Sequence, residues 1–132
     1  MKARDLMTSA VTWVSPTSAA RDVALQLLTG TYSGVPVVNE KHEVIGVVTE
    51  FDLLFAIQSG KNLRTTTAGE LMSKPICVQE DDELDTVIAK MIGNGIVRVP
   101  VVSDDGRLAG VIARTDILSS IIEPEFVTDV GC

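Results

Sequence analysis

The residue types that most often carry out chemistry are few in this chain and poorly placed for catalysis. His42 is the only histidine, and it lies between charged residues in a predicted turn, which argues against general-base or metal duty. Cys77 sits in an apolar run and reads as a small core residue, while Cys132 ends a polar tail. The run Glu80-Asp81-Asp82-Glu83 resembles a metal cluster superficially. Acids just ahead of an apolar helical pattern read better as a helix start and a solvated face. There is no Gly-rich phosphate loop and no nucleophile–histidine pair, so no enzymatic activity is expected. Binding chemistry remains. Asp52 and Asp116 each fall in the first turn of a predicted helix, directly after an apolar strand. The helix dipole favours a carboxylate there with or without a ligand, so a structural and a binding role both stand open.

A net charge of −7 excludes a broad basic surface for nucleic acid. An anionic ligand must then be held by a local cation or by backbone N–H groups. No apolar run approaches the roughly 20 residues that cross a bilayer. The opening residues Met1-Lys2-Ala3-Arg4-Asp5 lead into no signal-like stretch, so a cytoplasmic protein without a membrane partner is expected. Two cysteines are too few for a disulfide framework or a Cys-rich zinc site. The composition is 45% hydrophobic, which implies either a thorough core or an apolar face reserved for a partner. Only 4% of residues are aromatic, so Val, Ile, Leu and Ala must fill the interior.

The chain is one unit written twice. Val35-Pro36-Val37-Val38 recurs as Val99-Pro100-Val101-Val102, at an offset of 64. At that offset Gly46-Val47 meets Gly110-Val111, Asp52 meets Asp116, Leu54 meets Leu118, Val23 meets Val87 and Val14 meets Val78. Leu6-Met7-Thr8 pairs with Leu71-Met72-Ser73 at an offset of 65. Each copy opens with a short β-prone segment, Val11 to Val14 and Ile76 to Val78. Ser18 and Asp82 follow as expected N-caps. Ala20, Val23, Ala24, Leu27 and Leu28 then form one helical face, and Leu84, Val87, Ile88, Met91 and Ile92 form its copy. Gly30 and Gly93 are expected to stop these helices. Strands are predicted near 35–39, 44–49, 99–103 and 108–113, joined by turns at 39–42 and 103–106. Val35-Pro36-Val37-Val38 shows little alternation, as expected of a strand covered on both faces. Short second helices are predicted near 50–58 and 115–122. The unit is therefore β-α-β-β-α. One copy alone would leave a sheet face exposed, and two copies packed sheet to sheet would hide it.

These motifs resemble those of a tandem pair of CBS domains, a Bateman module. The resemblance rests on Asp5-Leu6-Met7-Thr8, Val35-Pro36-Val37-Val38 and Gly46-Val47-Val48-Thr49-Glu50-Phe51-Asp52-Leu53-Leu54. The second copy offers Glu70-Leu71-Met72-Ser73, Val99-Pro100-Val101-Val102 and Gly110-Val111-Ile112-Ala113-Arg114-Thr115-Asp116-Ile117-Leu118. It implies an α+β fold of two pseudo-symmetric repeats at 1–58 and 68–122, a linker at 59–67 and a C-terminal tail at 123–132. It further implies binding of adenosine-containing ligands (AMP, ADP or ATP, or else S-adenosylmethionine or NAD) in clefts between the copies.

Carried over residue by residue, the resemblance outlines two sites. The first takes Thr49 and Asp52 from copy one, with Pro75, Ile76, Cys77, Ile96, Val97 and Arg98 from copy two. The motif Asp would accept both hydroxyls of a ribose, which one carboxylate can do. Thr49 would contact phosphate or ribose, and Arg98, two residues before Pro100, would supply a cation. The second site takes Arg114, Thr115 and Asp116, with Thr12, Trp13, Tyr32 and Ser33. It is weaker: Ala113 replaces the motif hydroxyl and Gly34 stands where Arg98 stands. Trp13 and Tyr32 also read as core or interface aromatics, and Pro36 and Pro100 as strand-entry residues. The resemblance implies a regulatory ligand sensor that forms a homodimer through its helices and signals to an effector protein the chain does not name. The competing expectation is a structural dimerisation module with unoccupied clefts.

Overall fold

A computed structural model describes residues 1–30 and 32–130, with side chains for all of these except 123–130. The predicted Cys132 at the end of the tail lies outside the described residues. The chain divides into two compact units, and they cut across the sequence copies. One comprises Thr12–Ile76 with Asp105–Leu108; the other comprises Met1–Val11, Cys77–Asp104 and Ala109–Cys132.

In the first of these units, β1 (Gly34–Val38) and β2 (Val44–Thr49) form an antiparallel pair running from Gly34↔Thr49 to Val37↔Gly46. Val14 adds a parallel bridge, donating to the Pro36 carbonyl at 3.0 Å and accepting from the Val38 N–H at 2.9 Å. The helices α2 (Ala20–Gly30), α3 (Glu50–Gln58) and α4 (Ala68–Leu71) complete it. Its core gathers Val14, Val23, Leu27, Val35, Val37, Val48, Leu53 and Ala68. The segment 59–67 is built into this unit: Leu63 and Thr66 carbonyls accept from Arg21 and Ala20 at the start of α2.

The other unit holds α1 (Ala3–Leu6), β3 (Val78–Gln79), α5 (Leu84–Asn94), β4 (Arg98–Val102), β5 (Leu108–Ala113) and α6 (Arg114–Val130). Its strand order is β3-β4-β5, with β3 parallel to β4. Ala3, Val78, Val87, Met91, Val99, Val101, Ile112 and Ile117 form its core. Val35 to Val38 and Val99 to Val102 are buried throughout, as the absence of alternation predicts. The helical faces are narrower than predicted: Leu28 and Ile92, matched by the repeat, are 74% and 77% exposed.

Four sequence expectations need correction. Ser18 and Asp82 do not cap the helices, which begin two residues later; their side chains accept instead from Ser15 N–H (3.1 Å) and Gln79 N–H (2.8 Å), closing the preceding turns. Gly93 lies within α5, and the stop is Gly95, whose φ of +62° is the left-handed conformation that glycine adopts freely. The first strand of copy one shrinks to the single Val14 bridge. The backbone of α6 stays helical past the predicted end at 122, through Val130.

Each unit is completed by the leading segment of the other copy. Met72 packs on Gly46 and Met7 on Gly110, where a Cβ would meet sulfur at 2.5 and 2.8 Å. The segments then bridge antiparallel to the strands: Ser73 and Val47 exchange bonds of 2.8 and 3.0 Å, as Thr8 and Val111 do at 2.9 and 3.0 Å. Arg4 and Lys2 pair with Asp81, and the N-terminal amine lies 3.7 Å from Glu83. The acidic run thus anchors the N-terminal segment.

Gly110→Ala should destabilise by about 1–3 kcal/mol, because the added methyl would also lie 2.8 Å from the Thr8 carbonyl oxygen. Gly93→Ala, with open space around it in a helix, should stabilise by about 0.5 kcal/mol. Thermal or urea unfolding of the two variants would show shifts of opposite sign.

Candidate functional site

The strongest local arrangement is the junction of β2 and α3. Thr49 ends the strand in extended conformation and caps the helix, so the chain turns with its donors converging on one carboxylate. Asp52 Oδ2 accepts from Thr49 N–H at 2.8 Å and from Thr49 Oγ1 at 3.0 Å, while Asp52 N–H donates back to Thr49 Oγ1 at 3.2 Å. Asp52 Oδ1 accepts from Ser73 Oγ at 2.8 Å. Thr49 and Asp52, paired by the motif alone, are therefore brought together. Ser73, which holds Asp52 here, is not among the sequence-derived candidates, and its only mark in the sequence is its place in the Glu70-Leu71-Met72-Ser73 repeat.

The equivalent junction of β5 and α6 is barer. Asp116 Oδ2 accepts from Ala113 N–H at 2.7 Å, and Ala113 has no hydroxyl to add. Arg114 and Thr115 are both exposed in the first turn. Thr8, the counterpart of Ser73, makes its backbone bridge to Val111 but no side-chain bond to Asp116.

Ser33 and Val97 take matching places in their units. Each carbonyl accepts the first N–H of the helix after the second strand, from Glu50 at 3.0 Å and from Arg114 at 2.9 Å. Gly34 and Arg98 begin the following strands, and Arg98 is half-buried. Tyr32 is half-buried beside the first core, and Ile96 beside the second. Trp13 is exposed, and its ring lies edge-on to His42 with centroids 5.3 Å apart. His42 sits in the turn predicted for it, at φ +65°, where its counterpart Gly106 has φ +80°. Thr12, Pro75 and Ile76 are half-buried.

Cys77 is half-buried, and burial raises its thiol pKa, with the Lys90 charge opposing the shift. Lys90 Nζ donates to the Cys77 carbonyl at 2.6 Å, placing at that point a cation which sequence reasoning did not select. Among the described residues no group of three His, Cys, Asp or Glu is placed to hold a metal ion. No described helix is long and apolar enough to cross a membrane. An open depression of about 390 Å³ lies by Ala19, Arg21, Asp22 and Arg64, and no candidate site residue lines it.

Comparison with known proteins places this geometry in context. An uncharacterized protein of Methanopyrus kandleri is 38% identical over 129 residues, covering 96% of this chain and 62% of its own length. The inosine-5'-monophosphate dehydrogenase of Methanocaldococcus jannaschii is 30% identical over 129 residues, 97% of this chain but only 25% of that enzyme. The chain thus spans under two thirds of one relative and a quarter of the other. A CBS domain pair crystallised with 5'-methylthioadenosine and S-adenosyl-L-methionine has a TM-score of 0.75 at 26% identity, covering 95% of this chain and 98% of that one. The CBS domain family model matches twice, at residues 3–59 and 68–123, so the chain belongs to the CBS domain family as a tandem pair with an α+β fold.

Proposed function

We propose that this CBS pair is a regulatory module that binds adenosine-containing nucleotides of the AMP, ADP and ATP class and passes their occupancy to a partner protein. Two motif carboxylates at helix starts, each anchored by a backbone N–H through Oδ2, carry the reading. Such a group is already oriented and is suited to accept the two hydroxyls of a ribose. The ligands of the 26%-identical neighbour support it, because 5'-methylthioadenosine and S-adenosyl-L-methionine are both adenosine compounds. In this proposal Thr49, Asp52, Pro75, Ile76, Cys77, Ile96, Val97 and Arg98 serve one nucleotide, and Thr12, Trp13, Tyr32, Ser33, Arg114, Thr115 and Asp116 a second. No catalytic step is assigned to the chain. It spans only a quarter of the inosine-5'-monophosphate dehydrogenase it resembles.

The pair is also proposed to act as a homodimer through its helices. Phe51 and Phe55 of α3 are 79% and 70% exposed, and Leu118 and Ile121 of α6 are 55% and 54% exposed. Such apolar faces are costly to leave in water and suit a second copy of the same chain.

Titration calorimetry with AMP, ATP, NAD and S-adenosylmethionine should give saturable heat with at least one adenine nucleotide. Silence from all four at millimolar concentration would sink the sensing role and leave the structural dimerisation module standing. Asp52→Asn and Asp116→Asn should each lower affinity at their own site by about tenfold or more, the cost of losing charge-assisted hydrogen bonds. Light scattering should report a dimer for the native chain and a monomer for Phe51→Glu/Phe55→Glu; a native monomer removes the dimer proposal.

A further inference from the structure

An ionised carboxylate offers about four lone-pair positions, two on each oxygen. In Asp52 three are already taken: two on Oδ2 by the N–H and hydroxyl of Thr49, and one on Oδ1 by the hydroxyl of Ser73. A vicinal diol donates two hydrogens, and only one position remains. One of the chain's own donors must leave. The Thr49 N–H is fixed by the strand end, and the Thr49 hydroxyl is held in place by accepting from Asp52 N–H at 3.2 Å. Ser73 comes from 21 residues away, is exposed, and its hydroxyl makes this one bond among the described residues.

Asp116 differs. Among the described residues its carboxylate accepts only the Ala113 N–H, leaving room for a whole diol. The carboxylate in the better-equipped set of site residues is thus the more occupied one.

We infer that the Ser73 hydroxyl is a gate on Asp52, which a ribose diol must displace to bind. This rests on the nucleotide-binding reading above. It makes Ser73 a positioning residue that sets the affinity of the Asp52 site without serving as a ligand contact. The backbone bridge between Ser73 and Val47 and the Met72–Gly46 contact need no hydroxyl, so the segment stays docked when the gate opens. Displacement would release the side-chain tie of a segment that reaches Cys77, in the other compact unit, four residues later.

The experiment measures AMP and 2',3'-dideoxy-AMP binding to Asp116→Asn, with and without Ser73→Ala, so that only the Asp52 site reports. Ser73→Ala should tighten AMP about two- to tenfold, the net worth of one hydrogen bond, and leave the dideoxy compound unchanged. Its unfolding midpoint should fall by about 1–5 degrees, because the same bond is lost from the unliganded fold. Unchanged AMP affinity, meaning that the Thr49 hydroxyl turns away instead, overturns the gate, and so does weaker binding. AMP binding to the native chain but not to Asp116→Asn also overturns it, because Asp52 then takes no diol. If the native chain binds neither AMP nor any other adenine nucleotide, the functional reading falls and the gate with it.

Discussion

A methionine laid against a bare backbone, Met72 on Gly46 and Met7 on Gly110, is the contact from which much of each unit follows. Only a residue without Cβ lets the incoming segment lie this close to the strand. Once seated, the segment adds an antiparallel bridge to that strand and carries a fully buried alanine, Ala68 or Ala3, into the core. In the first unit it also delivers Ser73 to Asp52. Core completion and the hydrogen bonds of Asp52 therefore share one support, so a change at Gly46 reaches the carboxylate through Met72 and Ser73.

The same economy governs the motif acids. A carboxylate at a helix start satisfies N–H groups that the helix cannot, which is worth about 1 kcal/mol as a cap. That service also fixes its rotamer, so a ligand bound there as proposed would meet an acceptor whose side-chain entropy is already spent. The binding role proposed for Asp52 and Asp116 is therefore no rival of their structural one. The two roles compete only for lone pairs, and there the two copies differ.

Much of the fold was legible because duplication doubled every weak signal. Two copies of Val-Pro-Val-Val, each without alternation, pointed to buried strands, and the 3.6-residue spacing in α2 and α5 located their inner faces. What stayed hidden was non-local. Leu6-Met7 and Leu71-Met72 carry no mark saying which copy they will complete, and the bond joining Ser73 to Asp52 spans 21 residues that propensity does not read. The misread caps have a local cause: Ser18 and Asp82 are good cap residues, but each is used in the turn just before its helix. Lys90 carries no mark in the sequence beyond its place on a helix, and only the fold shows it reaching the Cys77 carbonyl.

The exchange of leading segments also bears on how such a pair persists. Two separate copies of one repeat would each have to borrow about ten residues from the other, an association limited by concentration. Written in one chain through the built-in stretch at 59–67, the same exchange becomes intramolecular, with an effective concentration on the order of millimolar. The tether makes the pair, rather than the repeat, the unit that can be moved whole into larger proteins.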